Sequence, residues 1–219
     1  MNRLNYHTVT PRLLDTLRSL MADTLFSPFR LVGGTNLALR FGHRMSDDID
    51  LFTDADYDSL YFKDFENFLK QRYAYFDTTA SGSLVGMGRC YYIGDSEDDC
   101  IKLDLMYMTD PFVHPSETIE GIRMASVEDI LAMKVDVVCR GGRKKDFWDL
   151  HLLHDTYSIP QMLQAHGEMY KWTHSDQEAI ACFKDFSVAN EDPDPRCMLD
   201  KDWDIIRLDF IDWLRDDFR

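Results

Sequence analysis

The chain has 219 residues, of which 45% are hydrophobic and 13% aromatic, so it can bury a sizeable core. Its formal net charge of −15 excludes a protein whose whole surface docks on nucleic acid, because such surfaces are basic. No stretch approaches the roughly 20 apolar residues of a membrane helix, and the five cysteines form no CxxC pair. The amphipathic N-terminus also lacks the apolar core of a signal peptide. We therefore expect a cytoplasmic protein with reduced thiols and no membrane partner.

The first half of the chain alternates between helical and strand-like patterns. Apolar residues at helical spacing predict a helix over 11–23, with Thr10 as its N-cap, and, after a short buried strand over 29–32, a second helix over 35–41. A strand around Ile49 and a third helix over 59–72 follow. Gly, Asp and Pro clusters then separate further strand-like runs at 73–78, 83–93, 100–108 and 118–124.

The pattern changes near Ala125. Ser126 is the expected N-cap of a helix that runs to Cys139, and helical patterns continue nearly to the end of the chain. A chain that is mixed at first and helical later indicates an α+β fold. We expect residues 1–125 to form the core and residues 126–219 to form a helical region.

The first candidate site is a strand that ends in Gly33 and Gly34 and leads directly into a helix. Glycines let the backbone turn tightly and let a phosphate approach closely. The N-terminus of the helix offers free amide groups and a positive dipole end, which favour a triphosphate. Thr35 adds a hydroxyl at the same place. We expect these three residues to bind nucleotide, and nearby Arg44 to contact phosphate or to serve a structural role.

Acidic residues follow on the next strand. Asp48 and Asp50 are two apart, so their side chains point to the same face. Two carboxylates there repel each other unless a cation lies between them, and hard cations such as Mg²⁺ or Mn²⁺ prefer oxygen ligands. Asp104 lies between apolar neighbours on another expected strand. If the two strands are adjacent, all three carboxylates converge and can hold two metal ions.

Two separate motifs resemble the AbiEii/AbiGii toxin family of nucleotidyltransferases. The first covers residues 31–39 (LVGGTNLAL) and 42–52 (GHRMSDDIDLF), and the second is Ala132-Met133-Lys134, then Arg140 and residues 144–150 (KKDFWDL). The resemblance covers roughly residues 29–153. It implies a polymerase-β-like nucleotidyltransferase core, with a mixed sheet flanked by helices and a helical C-terminal part. Thr35 stands where the wider superfamily often has serine, which keeps the hydroxyl.

The second motif also has a chemical interpretation. Lys134 can reach the triphosphate as a point charge. Asp146 either orients Lys134 or acts as a base, and it shares a helix face with Asp149. The alternative is an ordinary ion network on a helix face, which the resemblance disfavours.

The densest basic cluster in this acidic chain lies within residues 140–145, after the expected helix that carries Lys134. It can hold the phosphates of the nucleotide or of an acceptor. Its members are Arg140, Arg143, Lys144 and Lys145.

The sequence therefore predicts an enzyme: an NTP-dependent, Mg²⁺-dependent nucleotidyltransferase that moves a nucleoside monophosphate to an acceptor hydroxyl. Asp48, Asp50 and Asp104 are the expected metal ligands, and Lys134 and Asp146 complete the catalytic set. The acceptor is an RNA or tRNA 3′ end or a protein. The resemblance adds a toxin role in a toxin–antitoxin or phage-defence system, with a cognate antitoxin. A catalytically inactive nucleotide- or protein-binding regulator and a phosphohydrolase are the alternatives.

Overall fold

A computed structural model describes residues 3–78 and 87–218. Its helices are α1 (Pro11–Ala22), α2 (Gly33–Phe41), α3 (Phe62–Arg72), α4 (Val127–Cys139), α5 (Lys144–Leu153), α6 (Ile159–Met169), α7 (Asp176–Cys182), α8 (Ser187–Glu191) and α9 (Trp203–Asp217). Its strands are β1 (Arg30–Leu31), β2 (Asp48–Thr53), β3 (Tyr75–Asp77), β4 (Gly88–Gly94), β5 (Cys100–Tyr107), β6 (Glu117–Ile119) and β7 (Ile122–Met124).

The strands of the described residues form one mixed sheet in the order β3-β4-β5-β2-β1-β7-β6. The pairs β2–β5 and β1–β7 are parallel, and the other neighbours are antiparallel. Strands β2 and β5 alternate buried and partly buried residues, because one face packs on the core and the other faces a cleft. This pairing confirms that the strand with Asp104 lies beside the strand with Asp50.

Helix α1 illustrates how the local sequence builds the core. The Thr10 hydroxyl accepts a hydrogen bond from the Leu13 amide, and Pro11 occupies the first helical turn, where its missing N–H costs nothing. Leu13, Leu17 and Leu20 are fully buried at helical spacing against the sheet. Thr10 was the expected cap, and Pro11 the expected start of this helix.

The helices after Met124 form a second apolar cluster that also takes in Val32 and Leu37, next to the Gly-Gly turn. The central helix, α4, begins at the Ser126 cap, whose hydroxyl accepts from the Asp129 amide. In α9, Trp203, Ile206, Phe210 and Leu214 are buried in this cluster, so the apolar stripe of the last helix is core. The division at residue 125 into two domains stays a prediction.

Several boundaries differ from the sequence-based expectation. Helix α2 begins at Gly33 rather than at residue 35, and α3 begins at Phe62 rather than at residue 59. The run 118–124 is a hairpin, β6–β7, because Glu120 and Gly121 adopt positive φ angles and turn the chain. The run 83–93 gives β4, but its residues up to 86 lie outside the described part. Among the described helices, none has the length and apolarity needed to cross a membrane.

Candidate active site

A cleft of about 280 Å³ opens where the N-terminal end of α2, the strands β2 and β5, and the helices α4 and α5 meet. Its walls contain glycine backbone, four carboxylates and several cationic side chains. The lining residues with these groups are Gly33, Gly34, Arg44, Asp48, Asp50, Lys102, Asp104, Lys134, Arg140, Arg143, Lys145 and Asp146. The structure therefore brings most of the residues singled out in the sequence to one place.

Both glycines are required by close approach of side chains to the start of α2. Gly33 has a φ of +68°, and a Cβ on it would lie 2.4 Å from Asp50 Oδ2. A Cβ on Gly34 would lie 2.1 Å from Arg44 Nη2. Such distances are far shorter than any real contact, so a larger residue would displace the acidic or the basic neighbour. The Gly-Gly pair thus places a carboxylate and a guanidinium directly against the positive end of a helix.

The Thr35 hydroxyl lies beneath the cleft rather than in it. The side chain is fully buried, and Oγ1 donates to the Asp48 carbonyl oxygen at 2.5 Å. Ser46 Oγ lies 2.8 Å from the same hydroxyl. This differs from the expected nucleotide contact, because these bonds turn the hydroxyl towards the strand. Thr35 instead fixes the start of β2 against α2.

The three acids occupy one edge of the cleft. The Cα atoms of Asp50 and Asp104 are partners across the parallel strands, as are those of Asp48 and Lys102. Lys102 Nζ lies 2.5 Å from Asp104 Oδ2, and Lys145 Nζ lies 3.7 Å from Asp48 Oδ2. Within the described residues, the ligand atoms of the three acids do not all lie within 4.8 Å of one another. The acids share an edge, and two lysines pair with the outer carboxylates.

The crowding of carboxylates at this edge affects the pKa of Asp50. Burial, together with the neighbouring charges of Asp104 and Asp48, raises the pKa of Asp50 to about 6. Lys102 and Lys134 act in the opposite direction but do not cancel these effects. An aspartate with a pKa near neutrality at the bottom of a cleft is typical of a functional site rather than of a surface carboxylate.

The acidic edge fits a divalent cation on two observations. Asp104 Oδ1 is buried and has no hydrogen-bond partner within residues 3–78 and 87–218. The raised pKa of Asp50 shows that negative charge is crowded there. A cation between these oxygens would give Asp104 Oδ1 a partner and would relieve the repulsion around Asp50. Carboxylate oxygens are the ligands that Mg²⁺ and Mn²⁺ prefer.

Behind the cleft, one buried carboxylate collects three cationic or polar groups. Asp149 Oδ1 accepts from Arg44 Nε at 2.7 Å, and Asp149 Oδ2 accepts from Arg44 Nη2 at 2.8 Å. His43 Nε2 lies 2.7 Å from Asp149 Oδ1, and Lys134 Nζ lies 2.7 Å from Asp149 Oδ2. Lys134 Nζ also donates to Asp146 Oδ1 at 2.6 Å. Arg44 is therefore held as a structural contact at the cleft wall.

The pKa values of Asp149, Lys134 and Asp146 shift in the direction that keeps these three groups charged. Burial opposes the charge of Asp149, but Arg44 and Lys134 hold its pKa well below the usual range. Burial likewise opposes the charge of Lys134, while Asp146 and Asp149 raise its pKa above the usual value. The pKa of Asp146 is lowered against burial by Lys134 and by the Arg143 amide. Lys134 and Asp146 face the cleft as a fixed ion pair.

The basic cluster divides in two. Arg140, Arg143 and Lys145 line the cleft, whereas Lys144 points away and bonds Asp194 Oδ1 at 2.7 Å. Lys144 and Lys145 are successive residues of α5 and point in different directions, and of the two it is Lys145 that lines the cleft. Lys144 thus lies apart from the other three basic residues, and its expected role in the phosphate patch stays a prediction.

Lys102 and Tyr170 also line the cleft, although no functional role was expected for either from the sequence. For Lys102 a signal exists, because it stands two residues before Asp104 on the same strand face. Tyr170 follows the last turn of α6, and no local pattern indicates its position.

The mixed sheet, the acidic edge and the adjacent helix start define the chain as a protein of the nucleotidyltransferase fold. The structure superposes on MenT4, a nucleotidyltransferase toxin from Mycobacterium tuberculosis H37Rv, with a TM-score of 0.57 at 16% identity over 93% of this chain and 83% of that one. It superposes on JHP933 from Helicobacter pylori with a TM-score of 0.55 at 18% identity over 94% and 92% of the two chains. These similarities are of fold.

Residues 15–218 match the family described as nucleotidyl transferase AbiEii toxin, type IV TA system, and the chain belongs to this family. The expected family and the expected α+β fold are thereby confirmed. An uncharacterized protein of Aquifex aeolicus (strain VF5) is 30% identical over 147 residues, which are 64% of each chain. The matched region thus spans less than two thirds of that relative.

Proposed function

We propose that this protein is a metal-dependent nucleotidyltransferase that transfers a nucleoside monophosphate from an NTP to an acceptor hydroxyl. One observation carries the proposal: Asp50 and Asp104 are Cα partners on adjacent parallel strands, in the cleft at the N-terminal end of α2. The cleft thus combines an acidic edge with a helix start that favours phosphate.

The triphosphate binds at Gly33 and Gly34, which line the cleft at the start of α2, where the first amides of a helix have no partner within the helix. Arg143 and Lys145 also line the cleft and neutralise phosphate charge. Lys134 adds a fixed positive charge, since Asp146 and Asp149 hold its ammonium group in place. Thr35 contributes through the backbone and through the position of β2.

Asp48, Asp50 and Asp104 would hold Mg²⁺ or Mn²⁺. When bound, the cation lowers the pKa of the attacking hydroxyl and balances the charge of the departing pyrophosphate. Lys102 and Lys145 pair with the outer carboxylates, and with a cation on these carboxylates the two lysines would be free to turn towards phosphate oxygens. Burial excludes water from the inner part of the edge, which strengthens each of these interactions.

In the transfer step, the acceptor oxygen attacks the α-phosphorus and forms a new P–O bond. The bond between the α-phosphorus and the bridging oxygen to the β-phosphate breaks, and pyrophosphate leaves with that electron pair. The proton of the acceptor hydroxyl passes to a carboxylate of the acidic edge. Asp104 is suited to this role, because its buried Oδ1 has no hydrogen-bond partner in the described part of the chain.

The acceptor is an RNA 3′ end, in particular that of tRNA, or a protein hydroxyl. The overall charge of −15 repels a polyanion, so an RNA acceptor must approach along the cationic wall that carries Arg140, Arg143 and Lys145. Membership of the toxin family supports a growth-arresting role in the cytoplasm and a cognate antitoxin that blocks it.

The test is transfer of label from each α-labelled NTP in the presence of Mg²⁺, with purified tRNA or cell extract as the acceptor. Asp50→Asn and Asp104→Asn should lose transfer by at least about a hundredfold. Asp47→Asn is the matched control, because Asp47 is exposed and pairs with Arg196 outside the cleft.

The result also separates the alternatives. Release of phosphate without a labelled acceptor would indicate a phosphohydrolase. NTP binding without any transfer, together with growth arrest that persists in Asp50→Asn, would indicate a non-catalytic regulator. Either result would overturn the proposal.

A further inference from the structure

A second group of potential metal ligands lies away from the acidic edge. Asp136 projects from α4, His166 from α6, and His174 from the segment just before α7. Asp136 Oδ1 lies 3.7 Å from His166 Nε2 and 3.6 Å from His174 Nδ1, and the three atoms all lie within 4.8 Å of one another. Asp136 is 4% exposed and His166 is 1% exposed. Three elements of the helical region thus direct three ligand atoms at one point.

These three atoms are unsatisfied. Asp136 Oδ1, His166 Nε2 and His174 Nδ1 have no hydrogen-bond partner within the described ranges. Their separations are too long for hydrogen bonds, which rarely exceed about 3.2 Å between donor and acceptor. A buried carboxylate oxygen and a buried ring nitrogen that form no hydrogen bond are costly, and their ion-pair contacts at 3.6 and 3.7 Å compensate for this only in part, so their convergence requires an explanation.

We propose that Asp136, His166 and His174 bind one divalent transition-metal ion, of which Zn²⁺ fits best. Bonds of about 2.0 Å in a tetrahedral site place ligand atoms about 3.3 Å apart, close to the observed 3.6 and 3.7 Å. Two imidazoles and one carboxylate are a ligand set that suits Zn²⁺ and other borderline ions rather than Mg²⁺. The proposal does not depend on nucleotidyl transfer.

The three residues adjoin a second cleft of about 450 Å³, which Asp136, His174, Tyr170 and Thr173 help to line. The His174 side chain is 24% exposed, so an ion can enter from this side. Three protein ligands with an open position are the arrangement in which zinc keeps a water molecule or a small ligand.

The ion would also act on the first cleft through Arg140. Asp136 uses its other oxygen, Oδ2, to bind Arg140 Nη2 at 2.5 Å, and Arg140 lines both clefts. One carboxylate would then join the ion to the guanidinium. The orientation of the Arg140 side chain would therefore depend on whether the ion is bound.

The experiment is titration of the chelator-treated, folded protein with Zn²⁺ and with Co²⁺. We expect one tight site per chain, a visible Co²⁺ absorption spectrum of a four-coordinate ion with nitrogen and oxygen ligands, and a Tm that rises with Zn²⁺ concentration. His174→Ala should weaken binding at least about tenfold. Since His174 is partly exposed, this variant should fold, which circular dichroism will verify, whereas buried His166→Gln is a second, riskier variant.

Two controls make the result decisive. His7→Ala removes an exposed histidine elsewhere and should leave the affinity unchanged. Asp50→Asn combined with Asp104→Asn removes the acidic edge and should also leave Zn²⁺ binding unchanged, so failure of the catalytic proposal and failure of this one are distinguishable. Absence of tight binding to the folded wild type, or binding that survives His174→Ala unchanged, would overturn the proposal.

Discussion

Replacing Asp50 with asparagine removes one negative charge from the acidic edge and keeps the shape of the side chain. Burial and the neighbouring carboxylates raise the pKa of Asp50 from 3.8 to about 6 in the metal-free fold. Because a tenfold change in acidity corresponds to about 1.4 kcal/mol, ionising this group above pH 6 costs the folded state up to about 3 kcal/mol. Solvent at the mouth of the cleft will reduce this value.

The sign follows from proton linkage. Folded wild type binds more protons than the unfolded chain between pH 3.8 and about 6, so this contribution to stability is complete below pH 3.8 and is lost as pH rises through about 6. Asparagine does not titrate. Asp50→Asn should therefore match the wild type near pH 4 and exceed it in free energy of unfolding at pH 8, by up to about 3 kcal/mol.

The assay is urea unfolding of both proteins at several pH values in the presence of a chelator, repeated with Mg²⁺. Mg²⁺ should stabilise the wild type and leave the variant unchanged, because the cation relieves the repulsion that asparagine has already removed. Asp47→Asn should change stability by less than about 1 kcal/mol at every pH, as expected for an exposed ion pair. A variant that is less stable than the wild type at pH 8, or an offset independent of pH, would refute the reasoning.

Three further tests, which use five variants, address other parts of the structure. Asp149→Ala leaves buried cations unpaired and should cost about 3–5 kcal/mol in urea unfolding, and a loss below about 1 kcal/mol would contradict the network. Gly34→Ala should destabilise by about 1–3 kcal/mol because its Cβ has no room. Gly167→Ala, where a Cβ meets nothing within 4 Å, should instead stabilise by about 0.5–1 kcal/mol. Stability changes of the same sign in Gly34→Ala and Gly167→Ala would count against the packing argument. Arg143→Gln should lower kcat/KM for transfer about tenfold and Lys144→Gln less than about twofold, whereas equal losses would contradict the division of the basic cluster.

The sequence predicts most of the fold because its helices and strands carry strong periodic patterns and local caps. Thr10 and Ser126 each start a helix at the expected residue. Local patterns fail at the β6–β7 turn, since Glu120 adopts a positive φ that its side chain does not signal. They also miss the start of α2, because Gly33 and Gly34 suggest a turn and yet form the first helical turn.

The acidic edge is predictable for a similar reason. Alternation along a strand fixes which side chains share a face, so the sequence alone predicts that Asp48 and Asp50 lie on the same face. The strand with Asp104 has a matching pattern. The meeting of Asp136 with His166 is not predictable, because the two residues are 30 positions apart in the chain and helix α5 lies between their helices. The orientation of the Thr35 hydroxyl towards β2 is also not predictable from the sequence, since it depends on where Ser46 lies in the folded chain.

The contact between Arg44 and Asp149 has a consequence for the order of assembly. Arginine stays protonated in proteins, so Arg44 can be buried only after its counter-charge has arrived. That counter-charge lies 105 residues later in the chain. A nascent chain that has emerged as far as the sheet therefore lacks a formed cleft wall. Catalytic competence must wait for α5, which delays any toxic activity until most of the protein has been synthesised.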